Sequence, residues 1–321
     1  MLAETLDPED LDLVAALQLA PRVSLQVLAT TLGISTGTVS RRLTRLREHY
    51  GLRIVGQIPW WLDGATPHHV WISTAPGHAR EVATAVADLP EAQFVASTTG
   101  RADVYCILHP RRRADAAELL ATTLPSIAGI LTTHSELGLH RYVSGSRWRL
   151  HRLTPQQEET LAAHRHGAPP DAPVPMDDDE RAVAAVLHRN GRASAAEIAR
   201  ELGRSASTAY RTTQSVLDRG LVQPRVEIEP ALLGYPLEAV VSLATSPASM
   251  RSVATALAGH ESARYVTTVA GTSSVLHHGL FHHEDDLATF LSDDLGRHPG
   301  ITGFEVSTVL SVLMRYWSPR R

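Results

Sequence analysis

Two stretches of the chain, which lie 170 residues apart, decide the fold. They read LGISTGTVSRRLTR over residues 32–45 and LGRSASTAYRTTQS over residues 202–215. In each stretch, a glycine that can end one helix in the left-handed conformation is followed two residues later by a serine that can cap the next helix. Two short helices joined by a glycine-containing turn are typical of a helix-turn-helix motif.

The duplication extends beyond these turns. Each copy opens on an aspartate, Asp7 or Asp177, followed by acidic residues, as the start of a helix prefers. At the same offset, the identities pair Arg22, Ser24, Ala29, Leu32, Gly33, Ser35, Thr38 and Arg41 with Arg192, Ser194, Ala199, Leu202, Gly203, Ser205, Thr208 and Arg211. The sequence therefore predicts two copies of a unit of three helices.

The third helix of each copy carries the residues expected to contact DNA. In the first copy Val39, Leu43 and Leu46 are spaced i, i+4, i+7 and are assigned to the core. The other face offers hydroxyls and arginines, which can pair with phosphates and guanine edges, although a surface helix can also carry arginines only to be solvated. The predicted DNA contacts are Ser35, Thr36, Thr38, Ser40, Arg41, Arg42 and Arg45 in the first copy and Ser207, Thr208, Tyr210, Arg211 and Gln214 in the second.

After each set of helices the pattern changes to strands and helices in the order βαββαβ. This run covers residues 70–143 in the first copy and 237–313 in the second. The order is that of a ferredoxin-like domain, whose sheet leaves one face to be buried by pairing with another copy. The predicted fold class is α+β, with two helix-turn-helix (winged-helix-like) domains alternating with two ferredoxin-like βαββαβ domains.

Together these features resemble the Lrp/AsnC family of transcriptional regulators. The resemblance rests on Leu6-Asp7, on the Arg-x-Ser pairs at residues 22–24 and 192–194, on the two Leu-Gly-x-Ser turns, on Arg41-Arg42 and on Gly100-x-x-Asp103. It implies a helix-turn-helix coupled to a RAM (regulation of amino-acid metabolism) sensor domain, with dimerisation through the sheets. It also implies that small ligands, usually amino acids, bind near the Gly-x-x-Asp turn.

The ligand residues implied by the resemblance lie in two turns. They are Gly100, Arg101, Ala102 and Asp103 in the first copy and Gly271, Thr272 and Ser274 in the second, which has no carboxylate at this place. A turn that exposes backbone N–H groups beside a carboxylate can cradle a zwitterionic amino acid. The alternative is an ordinary hairpin turn.

The predicted domain boundaries follow the repeat. They are residues 1–60 and 176–230 for the two helix-turn-helix domains, 66–150 and 235–321 for the two RAM-like domains, and 151–175 for a proline-rich linker. We expect the linker to be a stiff, solvated spacer. We also expect the two sensor domains to pair within one chain, which would then favour an asymmetric operator with half-sites about 34–36 Å apart or a multiple of that.

Composition narrows the function. The chain has no lysine, which excludes a Walker A loop, a Schiff-base cofactor site and a kinase-type catalytic lysine. Its single cysteine, Cys106, excludes a disulfide within the chain. No secretion signal and no apolar run of roughly 18–20 residues is found, so we expect a cytoplasmic protein without a membrane partner.

The sequence thus predicts a sequence-specific regulator with three kinds of partner. They are double-stranded DNA, a small effector of the amino-acid class that the resemblance implies, and further copies of the chain in a homodimer or higher homo-oligomer. No cofactor, no metal and no enzymatic activity are expected. Two alternatives stay open: a sensor without DNA binding, and a tetrapyrrole decarboxylase, because such enzymes share the Lrp-like architecture and also occur as fused pairs. The His-Asn-Tyr-x-Arg-type segment of those enzymes is absent here.

Two further clusters of residues have competing interpretations. His277, His278, His282 and His283 invite a metal site, but adjacent residues on a strand point to opposite faces, so surface or interface histidines are expected. Trp60-Trp61 offers either a stacking platform or, as we expect, an apolar hinge packed against the sensor domain.

Overall fold

The computed structural model describes residues 5–145, 147–316 and 318–319. The chain divides into two compact units, and each unit draws on both copies of the repeat. The head unit contains residues 1–63 and 149–234, and the sheet unit contains residues 64–148 and 235–321. No helix in the described ranges is long and apolar enough to cross a membrane.

The secondary structure repeats in the order that the sequence predicted. The α-helices are α1 (Pro8–Leu19), α2 (Leu25–Leu32), α3 (Thr36–His49), α4 (Ala79–Ala87), α5 (Arg113–Glu118), α6 (Pro155–Ala162), α7 (Asp178–Arg189), α8 (Ala195–Leu202), α9 (Ala206–Asp218), α10 (Met250–Ala258) and α11 (Glu284–Thr289). The strands are β1 (Arg53–Gln57), β2 (His68–Thr74), β3 (Ala92–Thr98), β4 (Val104–Leu108), β5 (Ile130–Val143), β6 (Gln223–Glu227), β7 (Leu237–Thr245), β8 (Ala263–Ala270), β9 (Val275–Phe281), β10 (Ile301–Arg315) and β11 (Ser318–Pro319). We refer to α1–α3 and α7–α9 as the first and second heads.

Local sequence signals set the heads as expected. Gly33 and Gly203 end α2 and α8 in the left-handed conformation, with φ of 68° and 62°. Each following helix begins at a serine whose hydroxyl accepts a hydrogen bond from the backbone N–H three residues on, as in Ser35 to Thr38 at 3.0 Å and Ser205 to Thr208 at 3.1 Å. The two recognition helices, α3 and α9, therefore begin at a fixed residue.

The two heads interlock within their unit. Strands β1 and β6 pair antiparallel, with Arg53 opposite Glu227. The guanidinium of Arg22 donates to the carbonyl oxygens of Gly191 and Ala193, and that of Arg192 donates to those of Pro21 and Val23, each at 2.8 Å. This reciprocal exchange gives a structural role to a pair of arginines that the sequence had identified only as repeated.

The linker is not the solvated spacer that composition predicted. Residues 155–162 form α6, which starts with a capping box between Thr154 and Gln157 and buries Leu161 completely. Gln157 also donates to the carbonyl oxygen of Thr31 at 3.0 Å. The prediction for residues 151–175 is wrong in this part because a capping signal and one apolar side chain suffice to dock a short helix on the first head.

Trp61 also lies elsewhere than expected. It packs against the core of the second head, and its indole N–H donates to the carbonyl oxygen of Pro170 at 2.7 Å. The prediction of a hinge packed against the sensor domain is therefore wrong for this residue.

The sheet unit contains a sheet that closes on itself. The strand order is β11-β10-β3-β4-β2-β5-β8-β9-β7, and β7 pairs in turn with β10. The first copy thus supplies four strands of the ring and the second copy four, joined at β5–β8 and at β3–β10. The expected pairing of two βαββαβ domains within one chain is present, and it joins the sheets edge to edge.

Apolar side chains fill both faces of this ring. Outside, the helices of each copy make a core on their own strands, and each core also takes in the end of the other copy's last strand, with Val143 of β5 in one and Met314 of β10 in the other. Inside, side chains from both copies meet in a third core. A ring of eight strands leaves an interior that side chains alone can fill. This interior core contains Trp71, Phe94, Ala96, Ala102, Tyr105, Ile107, Val240, Val269 and Leu276.

Candidate functional site

An exposed stripe runs along the recognition helix of the first head. Val39, Leu43 and Leu46 are buried, as predicted from their spacing. Two of the predicted DNA contacts, Thr36 and Thr38, bond within the head. The Thr36 hydroxyl donates to the Gln26 side chain at 3.1 Å, and the hydroxyls of Thr38 and Ser35 share a hydrogen bond of 2.9 Å. The stripe itself consists of Gly37, Ser40, Arg41, Thr44 and Arg47.

Arg42 and Arg45 do not belong to this stripe. Arg42 lies 3.0 Å from an Asp7 oxygen and 2.7 Å from an Asp10 oxygen, and it also pairs with Glu9. Arg45 lies 2.7 Å from Asp7 and pairs with Asp10. Hydrogen bonding to Asp10 raises the pKa of both arginines.

Arg42 and Arg45 were predicted to contact DNA, but the structure pairs both guanidinium groups with the acidic start of α1. The Arg42 side chain is only 18% exposed, and the Asp10 carboxylate is almost completely buried. A buried carboxylate requires cationic partners, and α3 supplies them because its inward flank faces the acidic start of α1.

The second head presents a different stripe. Ser207, Tyr210 and Arg211 are exposed, and Gln214 is half-buried beside them. Thr208 shares a hydrogen bond of 2.9 Å with the hydroxyl of Ser205. All the predicted residues of this head except Thr208 thus lie along one side of α9.

In the second head, the acidic residues at the start of α7 pair with arginines that lie outside the exposed stripe of α9. Arg204, before α9, lies 2.6 Å from Asp179, and Arg219, after α9, pairs with Glu180. At the positions that correspond to Arg42 and Arg45, this head has Thr212 and Ser215. The same electrostatic task is therefore carried out by different parts of the two heads.

In the sheet unit, the two predicted ligand turns first of all fix strand ends. Asp103 accepts hydrogen bonds from the backbone N–H of Thr74 at 2.7 Å and from its hydroxyl at 3.0 Å. Ser274 accepts one from the backbone N–H of Thr245 at 3.2 Å, and Thr245 is the residue that corresponds to Thr74 in the repeat. Ser274 thus makes the same hydrogen bond to the neighbouring strand as Asp103 does in the first copy.

The glycines of these turns allow close approach to the last strand of the other copy. Gly100 has φ of 85°, and a Cβ on it would lie 2.2 Å from the carbonyl oxygen of Val306. A Cβ on Gly271 would lie 2.3 Å from Cγ of Glu136. Ala102, which was also predicted to contact the ligand, is buried.

Arg101 and Thr272, from the two turns, meet in one polar cluster. The Arg101 guanidinium lies 4.3 Å from the centre of the Trp71 ring and donates to the Thr272 hydroxyl at 3.1 Å. Glu136 Oε1 accepts from the Thr272 hydroxyl and from the backbone N–H of Ser273, both at 2.9 Å, and lies 3.6 Å from Arg101. We call Trp71, Arg101, Glu136, Thr272 and Ser273 the turn cluster.

The turn cluster contains an ionised carboxylate and two atoms without partners. Burial raises the pKa of Glu136, but hydrogen bonds from Ser273 and Thr272 outweigh burial and hold it below its usual range. In the part of the chain that the structure describes, neither Glu136 Oε2 nor the indole nitrogen of Trp71 has a hydrogen-bond partner. Buried polar atoms are normally paired, so these two are an unsatisfied acceptor and an unsatisfied donor within the cluster.

Sequence reasoning missed Glu136, Trp71 and Ser273. Glu136 lies in β5 and Trp71 in β2, each about thirty residues from the first turn, and only the closure of the sheet brings them to it. No spacing within one strand marks them.

A second polar group lies inside the closed sheet. Glu238 is 2.7 Å from Arg315 and 2.7 Å from His278, and His69 Nδ1 is 2.6 Å from the Tyr105 hydroxyl. Burial raises the pKa of Glu238, but Arg315 and His278 overcome it and hold that pKa well below its usual range. Burial lowers the pKa of His69 to about 3, so this imidazole is neutral near pH 7.

Surface or interface histidines were expected, and His277 and His278 do not lie on the surface: both are buried because cores cover both faces of β9. They do point to opposite faces: His278 contacts Glu238, whereas His277 stacks on Phe290 at 4.7 Å. His282 and His283 are exposed. Within the described ranges, no group of three or more His, Cys, Asp or Glu residues could hold a metal ion.

Comparison with protein families covers both copies. The AsnC-type helix-turn-helix domain matches residues 6–47, and the Lrp/AsnC ligand binding domain matches residues 69–148 and 238–317. The second head, residues 177–234, matches the model of the sugar-specific transcriptional regulator TrmB. The two heads therefore differ in sequence family as well as in charge.

Individual relatives match less than half of the chain but most of their own length. An uncharacterized HTH-type transcriptional regulator of Pyrococcus furiosus is 29% identical over 138 residues, which are 43% of this chain and 93% of that protein. The HTH-type transcriptional regulator LrpA of Pyrococcus horikoshii is 24% identical over 128 residues, which are 40% of this chain and 91% of that protein.

Among solved structures, the siroheme decarboxylase NirDL matches along nearly the whole chain. It superposes with a TM-score of 0.62 at 12% identity and covers 97% of this chain and 94% of its own. This likeness shows the fold, and the fold is one that an enzyme uses. This likeness contradicts the expectation of no enzymatic activity, because the architecture of the whole chain is also that of an enzyme.

The family matches decide membership. Both halves of the sheet unit and the first head match Lrp/AsnC models, and the curated relatives are regulators of the same kind. The chain belongs to the Lrp/AsnC family of transcription regulators, as a tandem of two helix-turn-helix and ligand-binding units.

Proposed function

We propose that the chain is a sequence-specific DNA-binding regulator that carries two unlike reading heads and responds to a small zwitterion of the amino-acid class. The observation that carries this proposal is the pair of capped recognition helices with exposed polar stripes, interlocked in one unit by Arg22 and Arg192. The cytoplasmic location expected from the sequence is part of the proposal.

The stripes have the chemistry of a DNA-reading surface. In the first head, Arg41 and Arg47 are exposed and can reach phosphates or guanine edges, and Ser40 and Thr44 are small enough to let the helix approach the groove. The second head offers one arginine, Arg211, beside Tyr210 and Gln214. Two unlike stripes favour an operator with two unlike half-sites.

The turn cluster has the chemistry of a zwitterion site. A ligand ammonium group beside Glu136 would use its unpaired oxygen, and a ligand carboxylate would lie between Arg101 and the indole N–H of Trp71. The positions that correspond to Arg101 and Glu136 in the other copy are Thr272 and Ser307. One effector per chain is therefore expected.

Two measurements on the full chain test this function. Selection from random DNA should recover an asymmetric site, and affinity should fall steeply as salt rises because bound counterions are released. Failure to retain any DNA at low salt would contradict the regulator.

For the effector, a thermal-shift screen of amino acids should find a stabilising ligand, since a ligand at 100 times its Kd adds about 2.7 kcal/mol. Glu136→Gln should abolish the shift, whereas the matched control Ser307→Ala should keep it. An equal shift in Glu136→Gln would contradict the assigned site.

Self-association is proposed through the outer faces of β5 and β10. Leu131 and Leu139 on β5, and Phe304 and Leu310 on β10, are exposed large apolar side chains, which soluble proteins usually bury against a partner. The double variant Leu139→Glu with Leu310→Glu should reduce the mass measured by light scattering. An unchanged mass would reject these faces as the interface.

A second candidate function is a siroheme decarboxylase activity. It is favoured by the whole-chain likeness to NirDL together with the buried Glu238, His278 and His69–Tyr105 groups inside the sheet. Decarboxylation replaces a carboxylate with a proton, and the hydrogen-bonded His69–Tyr105 pair holds one. Incubation with siroheme should give a bound absorbance band and released carbon dioxide, and absence of both would reject this candidate.

A further inference from the structure

We propose that the second head reads thymine through the ring of Tyr210, with Gln214 reading a neighbouring adenine. The proposal rests on the regulator function proposed above and assigns the base preference of one head. Tyr210 is 57% exposed, although a tyrosine ring is large and normally packs against protein.

The position of Tyr210 is that of a base contact. The hydroxyl of Ser205 fixes the start of α9, and Tyr210 is the fifth residue after this cap. Recognition helices use their first turns to contact base edges. Gln214 follows at i+4 on the same side, about 6 Å along the axis, which is close to two base steps of about 3.4 Å.

The charge around α9 makes an apolar contact important. Arg211 is the single arginine within α9, and Arg204 and Arg219 at its ends are paired with acids of α7. The recognition helix of this head therefore has few cations for phosphates, so base edges are expected to supply more of its affinity. The apolar group that a base pair exposes in the major groove is the thymine methyl, and glutamine pairs with adenine N6 and N7.

The first head supplies the matched control. At the positions of Tyr210 and Gln214 it has Ser40 and Thr44, whereas Arg211 has the equivalent Arg41. The two heads thus share one arginine and differ at these two exposed positions. A difference in base preference between the half-sites should follow these side chains.

The experiment uses full-length protein and its selected DNA site. Parallel selections with wild type and Tyr210→Ala identify the half-site of the second head as the one whose base preference changes. Thymines of each half-site are then replaced in turn by deoxyuridine, which lacks the methyl group, and Kd is measured by fluorescence anisotropy. Wild type should lose about fourfold per contacted methyl in this half-site.

The variants separate the ring contact from other effects. Tyr210→Ala should bind the thymine site more weakly and be insensitive to deoxyuridine there, whereas Tyr210→Phe should keep the sensitivity because it keeps the ring. Ser40→Ala should leave this half-site unchanged. Thermal melts of Tyr210→Ala and Tyr210→Phe check that an exposed substitution leaves the fold intact.

Three results would overturn the proposal. They are a wild-type Kd that deoxyuridine leaves unchanged, a Tyr210→Ala variant that remains as sensitive as wild type, and a Tyr210→Ala selection with unaltered base preference. In each case DNA binding itself stands. If the full chain selects no site at all, the regulator function fails first and the thymine assignment falls with it.

Discussion

The two heads share one backbone design and differ in where their charges are used. In the first head, two of the four arginines of α3, Arg42 and Arg45, pair with the acidic start of α1. In the second, that task falls to Arg204 and Arg219, which flank α9. The count of arginines in a recognition helix is therefore a poor measure of its contacts with DNA.

The same divergence runs through the sheet unit. The first copy supplies Arg101 and Glu136 to the turn cluster, and their counterparts are Thr272 and Ser307. Once two copies are joined in one chain, equivalent positions can carry different residues with different functions. Exchanging or deleting such positions in pairs is the direct way to test how unlike the copies have become.

The largest difference is expected from the two turn glycines. Gly100→Ala combines a left-handed φ with a Cβ that overlaps the Val306 carbonyl, so we expect a loss of about 4 kcal/mol or failure to fold. Gly271→Ala meets the Glu136 side chain instead and should cost about 1–3 kcal/mol. Urea unfolding midpoints measure both, and equal losses would show that the turns are more alike than described.

The next difference concerns the acidic residues at the starts of α1 and α7. Arg42→Ala removes one of two cationic partners from the buried Asp10 carboxylate and should lower the free energy of unfolding by about 2 kcal/mol. Thr212→Ala, at the corresponding position, should change it by less than about 0.5 kcal/mol. Denaturant melts of the two variants decide this, and a harmless Arg42→Ala would mean that the acidic cluster is solvated.

A smaller difference is expected in pH dependence. His277 corresponds to Cys106, and burial lowers the pKa of His277 to about 3. Between about pH 6.5 and 3 the unfolded chain binds a proton here that the folded chain does not. Stability is therefore full above pH 6.5 and falls by about 1.4 kcal/mol per pH unit as the pH drops through this window. In His277→Cys the chain should take up one proton fewer on unfolding, so the free energy of unfolding should depend less steeply on pH. An unchanged slope between pH 6.5 and 5 would contradict a neutral buried imidazole.

The smallest difference separates two neighbours in α3. Arg41→Ala should reduce the slope of log affinity against log salt by about 0.9, the value for one phosphate contact. Arg42→Ala should leave that slope unchanged because its side chain serves α1. Affinity titrations at several salt concentrations test the pair, and a reversal would place Arg42 on DNA.

Local signals predicted the fold well. The serine caps and the glycines at residues 33 and 203 set the heads, and the order βαββαβ, with its uncovered sheet face, predicted pairing within the chain. Such features depend on neighbours a few residues apart, which the sequence displays directly.

Features that depend on distant partners were not predictable in the same way. The spacing of Arg42 assigned it outward, because nothing in α3 shows that Asp10, thirty-two residues earlier, lies against it. Glu136 joins the turn cluster only through strand pairing. Helix α6 was hidden by the prolines that follow it, because they give residues 151–175 as a whole the composition of a spacer.

The exchange of hydrogen bonds between Arg22 and Arg192 has a consequence for dosage. In a regulator assembled from separate subunits, the fraction of paired molecules falls on dilution, and operator occupancy then depends on the square of the protein concentration. Here both recognition helices belong to one polypeptide and are already coupled, so no pairing of subunits has to precede DNA binding. Occupancy of one operator should follow the first power of expression level, which suits a gene that must respond when only a few copies of its regulator are present.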